Sequence, residues 1–149
     1  MNFKTILEKI NFVSRYKCIC ENYHDFDNRM RDSTKQIQKE VLNLFKYKYK
    51  YVSNGSFYQV KDESQDILFN LHLVLKGGAV ETLIYIYIDN KFIKPRGRID
   101  FFPEDVGILY DRLKYGLPKY SSEKELEEIL EGLFSIYEDL KTEVVKEYN

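Results

Sequence analysis

The chain has 149 residues, 44% of them hydrophobic and 32% charged, with a formal net charge of −1. That length fits one domain with a core of its own, and the composition excludes a disordered or collagen-like chain. No run approaches 18 uninterrupted apolar residues, and Met1–Lys9 carries charges inside its apolar region, so neither a membrane span nor a secretory leader is expected and the expected location is the cytoplasm.

Residues 3–19 place Phe3, Ile6, Leu7, Ile10, Val13 and Tyr16 at spacings of three and four, which predicts an amphipathic helix. A longer helix is predicted over 23–47 from Tyr23, Phe26, Met30, Ile37, Val41, Leu44 and Phe45, with Asn22 or Asp25 as its cap. The period then changes to two. Lys46-Tyr47-Lys48-Tyr49-Lys50-Tyr51 puts Tyr on one face of a strand and Lys on the other, and Asn54-Gly55 predicts a hairpin into Phe57–Val60. A second hairpin runs Ile67–Leu75, turns at Gly77-Gly78 and returns over Val80–Ile88, as the middle of the sheet. Phe92-Ile93 with Arg98–Asp100 suggests a short fifth strand.

Helical spacing resumes after Pro103 with Val106, Leu109, Tyr110 and Leu113, and Gly116 with Pro118 should end that helix. The last helix has the fullest signal: Ser122 and Glu125 form a capping box, followed by Leu126, Ile129, Leu130, Leu133, Phe134, Tyr137, Leu140 and Val144. The expected fold class is therefore α+β, as one domain over 1–149. Two N-terminal helices, a four- to five-stranded antiparallel meander and two C-terminal helices pack together on the sheet.

Charge is divided along the chain. Residues 1–61 hold twelve Lys or Arg and six Asp or Glu, whereas residues 62–149 hold eleven and eighteen. The last helix carries Glu123, Glu127 and Glu131 at four-residue spacing, with Glu138 and Asp139 further on. Like charges at that spacing cost a helix a few tenths of a kcal/mol each, so helix stability does not explain them. These five acids are the candidate partner-binding residues, since an uneven charge distribution steers a charged partner.

The alternative candidate is an anion-binding loop of Lys94, Arg96 and Arg98, whose guanidinium groups could hold phosphate or carboxylate; the competing expectation is a solvated turn in which Arg98 pairs with a nearby acid such as Asp100. The Lys–Tyr alternation argues against single-stranded nucleic acid, because a stacking groove needs rings and cations on the same face. Asp66 with Asp89-Asn90-Lys91 only approximates a metal-nuclease pattern, because the triplet falls in a turn. Cys18 and Cys20, the only cysteines, are too close in sequence for an unstrained disulfide and lack zinc-ligand company. His24 and His72 lie in different elements, and no Ser or Cys sits in a nucleophile context. No catalytic residue, no metal site and no cofactor are expected.

The order of helices and strands, the stretch Arg98-Ile99-Asp100-Phe101-Phe102-Pro103-Glu104-Asp105 and the acidic Ser122–Tyr148 helix together resemble the immunity proteins that bacteria encode beside polymorphic or contact-delivered toxins. The resemblance implies a cytoplasmic, non-enzymatic inhibitor whose partner is a cognate basic toxin domain. Abundant Tyr, Lys, Ile and Asn without Trp fit an AT-rich bacterial genome. The competing expectations are a nucleic-acid-binding or nuclease-like protein that uses the basic N-terminal half and the Lys94–Arg98 loop, and a small homodimeric domain.

Overall fold

The alternating middle of the chain forms an antiparallel sheet in the structure, a computed structural model that describes residues 1–148. Its strands are β1 (Lys50–Val52), β2 (Phe57–Ser64), β3 (Ile67–Val74), β4 (Glu81–Ile88), β5 (Lys91–Phe92) and β6 (Gly97–Arg98). They lie in the order β1-β2-β3-β4-β5, and β6 also pairs with β4. The expected central hairpin forms, with Phe69 opposite Ile86, Leu71 opposite Ile84 and Leu73 opposite Thr82 on the buried face. Gly77 and Gly78 turn it at φ 72° and 78°. A Cβ on Gly78 would also lie 2.7 Å from the Met30 backbone nitrogen.

Two features of the first hairpin differ from the sequence reading. Asn54-Gly55 lies in the loop, but the left-handed residue is Ser56 at φ 54°. A four-residue loop between Val52 and Phe57 moves that position to its end, unlike a two-residue turn. The first strand is also shorter than 46–51. Continued pairing would set Lys48 opposite Lys61, a like-charge pair that disfavours the ladder. Tyr47 instead leaves the sheet and stacks on Phe134, with centroids 4.3 Å apart. The alternation itself holds: Lys46, Lys48 and Lys50 are exposed, whereas Tyr47, Tyr49 and Tyr51 are half-buried.

The helices are α1 (Phe3–Lys9), α2 (Phe12–Asn22), α3 (Lys35–Leu42), α4 (Phe102–Asp105), α5 (Arg112–Tyr115) and α6 (Glu123–Tyr148). The expected 3–19 helix breaks at Asn11, a left-handed residue at φ 54° and ψ 43°, a conformation that Asn tolerates. The break lets Phe3 and Phe12 both reach Phe102, at 5.9 and 6.5 Å between ring centroids. Of the expected 23–47 helix only α3 forms. Tertiary hydrogen bonds hold its first half open: Met30 N donates to Tyr120 O at 2.8 Å, Lys119 N to Tyr23 O at 2.8 Å, and Arg29 Nε to Gly77 O at 3.1 Å. Thr34 caps α3 by accepting from Ile37 N, whereas Asn22 closes α2 and Asp25 forms a turn with Asn28.

The helix expected after Pro103 is reduced to two single turns, α4 and α5, with Gly107 between them at φ 81°. Leu109 and Leu113 are therefore 97% and 83% exposed instead of core-facing. The two expected C-terminal helices become one long helix preceded by these turns. In α6, Glu125 N donates to Ser122 Oγ at 3.1 Å, while the Glu125 carboxylate accepts from Ser121. All eight apolar positions named for it are buried. α6 packs with α1, α2 and α3 over the sheet's inner face, and Gly132 admits Ile19 of α2, whose Cδ1 would lie 2.9 Å from an added Cβ.

Candidate functional site

With its apolar stripe turned inward, α6 exposes Lys124, Glu128, Glu131, Ser135, Asp139 and Thr142 along its opposite side. Glu123 and Glu131 are exposed and have no ion pair or side-chain hydrogen bond among the described residues. Glu127 lies 3.4 Å from Lys124 of its own helix. Glu128, which lies outside the four-residue spacing of that row, accepts from the Tyr23 hydroxyl at 3.1 Å. Glu123, Glu127, Glu128 and Glu131 thus share the first half of the helix. Asp139 is tied to α2, where Arg15 donates to it at 2.7 Å and to Ser135 Oγ at 3.0 Å.

Glu138 turns away from that row. It accepts from the Tyr47 hydroxyl and from Lys141 Nζ at 2.9 Å, while Lys141 also reaches Asp62 at 3.1 Å and Tyr137 donates to Asp62 at 2.7 Å. Burial alone would raise the Glu138 pKa, but the bonds from Tyr47 and Lys141 outweigh it and hold the group below its ordinary 4.5. Burial and the Asp62 carboxylate push the Tyr137 hydroxyl far up, so it stays a donor. Asp62 and Lys141 are 79 residues apart, so no local pattern announces this network.

The Lys94, Arg96 and Arg98 side chains do not converge on one anion site. Arg98 spends its fork on Asp100, with Nε to Oδ1 at 3.0 Å and Nη2 to Oδ2 at 2.8 Å, and Asp100 is only 2% exposed. Arg96 lies over the Phe92 ring, 4.7 Å from its centroid, and Lys94 is exposed.

Cys20 is fully buried, and burial pushes its thiol up to about 11, so it carries no thiolate at neutral pH. Cys18 is exposed and accepts from Asn22 Nδ2 at 3.4 Å. Asp66 and Asp89 do meet at the β3–β4 end, through Asp89 N donating to Asp66 O at 3.1 Å, and Asp89 accepts from Tyr148 at 3.3 Å. Among the described residues no group of three or more His, Cys, Asp or Glu could hold a metal ion. No helix among them is long and apolar enough to cross a membrane.

The helices cover only one face of the sheet. The outer face presents Phe57, Gln59 and Lys61 from β2, Leu68, Asn70, His72 and Val74 from β3, and Leu83, Tyr85 and Tyr87 from β4. Its rings contact one another: Phe57 stacks on His72 at 4.1 Å, His72 meets Tyr85 at 5.1 Å, and Tyr87 meets Phe92 at 4.2 Å. Asn70 Oδ1 and His72 Nε2 are buried by these neighbours without a hydrogen-bond partner. Burial, with Lys61 nearby, lowers the His72 pKa from 6.5. Comparison with protein-family models, curated proteins and solved structures returns no match.

Proposed function

We propose that this chain is a non-catalytic protein-binding domain, an immunity-type inhibitor that docks on a basic toxin domain through the first half of α6. The observation that carries the reading is the row Glu123, Glu127, Glu131, joined by Glu128. Glu123, Glu128 and Glu131 are exposed and Glu127 is half-buried, at repulsive spacing, and Glu123 and Glu131 have no partner among the described residues. A row that costs folding stability is accounted for by a cationic partner, which it would attract and orient. Glu138 and Asp139 act from within the fold in this scheme: Asp139 braces α2 against α6, and Glu138 completes the Tyr47–Lys141 network.

The nucleic-acid alternative has less support. The outer-face rings that could have received bases lie against one another, Phe57 on His72 and Tyr87 beside Phe92, and Arg96 lies over the Phe92 ring. Base stacking needs free ring faces.

The test is affinity capture of the tagged chain from its native host at low salt, beside a Glu123→Lys, Glu127→Lys, Glu131→Lys variant. Exposed carboxylates contribute little to folding, so the variant should melt within a few degrees of the parent. The parent should retain one stoichiometric protein partner, and the variant should associate with it at least about tenfold more slowly. Equal capture by parent and variant would refute α6 as the interface. Tight, steeply salt-dependent binding of a labelled single-stranded oligonucleotide would favour the alternative.

A further inference from the structure

We propose that the lysine-rich edge at β1 docks an extended acidic segment of another protein, added to the sheet as a further strand. β1 is the terminal strand on its side, so one flank of it meets no neighbour. The segment leading into it is open as well: among the described residues, no backbone group of residues 46–49 makes a backbone hydrogen bond. Such an edge presents a row of N–H and C=O groups to an extended chain that reaches it.

Charge decides which chain that is. Lys46, Lys48 and Lys50 are exposed at every second position, and Lys61 is exposed on the adjoining β2. Lys35 and Lys39, one turn apart on α3, both bring their ammonium groups over the Tyr51 ring, 4.4 and 5.9 Å from its centroid. None of these lysines is in an ion pair among the described residues. Two carboxylates of the neighbouring helices are engaged otherwise: Glu40 accepts from Gln36 Nε2 at 3.3 Å, and Glu138 accepts from Tyr47 and Lys141. Gathered ammonium groups repel one another, and carboxylates set among them relieve that repulsion.

Strand geometry sets the pattern of the ligand. Alternate residues of a strand share a face about 7 Å apart, so Asp or Glu at every second position of an added strand meets the lysines of 46–50. A second copy of this edge is a poor occupant, because β1 against β1 sets lysine beside lysine. Nucleic acid is a poor occupant too. Tyr47 is stacked on Phe134, and Tyr49 and Tyr51 lie against Tyr58 at 5.8 and 4.9 Å, so these rings are turned into the fold and away from bases. The edge uses none of the acids in the α6 row, and the inference stands independently of the toxin partner.

Fluorescence anisotropy of the chain with two labelled peptides of about six residues tests it, one alternating Glu and Thr, the other alternating Glu and Pro. Their charges match, but proline lacks the N–H that a ladder needs. At low salt the Glu-Thr peptide should bind with a Kd below about 100 µM, and the Glu-Pro peptide at least about tenfold more weakly. Binding should also slow amide hydrogen exchange across residues 46–51. Lys48→Glu with Lys50→Glu, and separately Lys35→Glu with Lys39→Glu, should each raise the Kd at least about tenfold. Lys91→Glu with Lys114→Glu, the same charge change at exposed positions away from this edge, should stay within about twofold. The inference is overturned if the parent binds no Glu-Thr peptide up to about 1 mM, if the two peptides bind equally, or if the Lys91 and Lys114 control loses as much as the edge variants. Tighter binding of a labelled oligothymidylate overturns it as well and assigns the lysines to nucleic acid. If the Lys35 and Lys39 variant fails to fold, the Lys48 and Lys50 variant decides.

Discussion

Arg98 shows how one residue type supports two readings until its partner is known. In sequence it belongs to a basic loop, and in the structure it neutralises Asp100, a carboxylate 2% exposed. Removing one member of such a pair strands the other, so Arg98→Ala should cost about 3 kcal/mol of unfolding free energy. Arg96→Ala, two residues before it and exposed, should stay within about 0.5 kcal/mol. Urea denaturation of both variants checks the contrast, and equal effects would mean that Asp100 is not held by Arg98. His72 carries a pH signature. Its folded pKa is depressed, so the unfolded chain binds the proton first as pH falls below 6.5. Stability is full above 6.5 and declines from there down through the lowered folded value. His72→Gln should therefore lose less stability between neutral and mildly acidic pH than the parent does, measured as the shift in denaturant midpoint. An equal loss in both would show that His72 contributes nothing to the acid sensitivity.

At the level of elements, the turn of the central hairpin separates two roles of glycine. Gly77 and Gly78 both have positive φ, but only Gly78 has backbone within contact distance of an added Cβ, Met30 N at 2.7 Å. Gly77→Ala should cost about 1 kcal/mol, the left-handed penalty alone. Gly78→Ala should cost clearly more, because the 23–34 loop must also move away from the sheet. Thermal melts of the two variants give the comparison, and a Gly78→Ala melt no lower than that of Gly77→Ala would remove the loop's claim on that glycine. That loop also shows why the 23–47 helix failed. Tyr23, Phe26 and Met30 have helical spacing, yet backbone bonds to Tyr120 and Lys119 outweigh a modest helical preference. The β3–β4 hairpin and α6 were legible because their periodicity and their burial agree: alternate residues from Ile67 to Leu75 and from Val80 to Ile86 are buried, with Ile88 half-buried, and so is the whole apolar stripe of α6.

For the whole molecule, one inner-face position reports on the core that both layers share. Ile86 is fully buried between sheet and helices, and Ile86→Asp should abolish cooperative unfolding, since an unpaired charge there finds no partner. A variant with the parental melting curve would mean that the sheet's inner face is misassigned. The sequence alone determined the class α+β, the central hairpin, the long capped last helix and the division of the Lys–Tyr strand into two faces. Each of these rests on short-range periodicity, which the chain carries locally. Tertiary structure alone decided which acids of α6 stay outward and that Glu138 joins Tyr47, Lys141 and Asp62. It also decided that the outer sheet face stays uncovered. The physical reason is distance along the chain: a side chain's partner is set by how elements pack, and spacing within one element says only which way that side chain points.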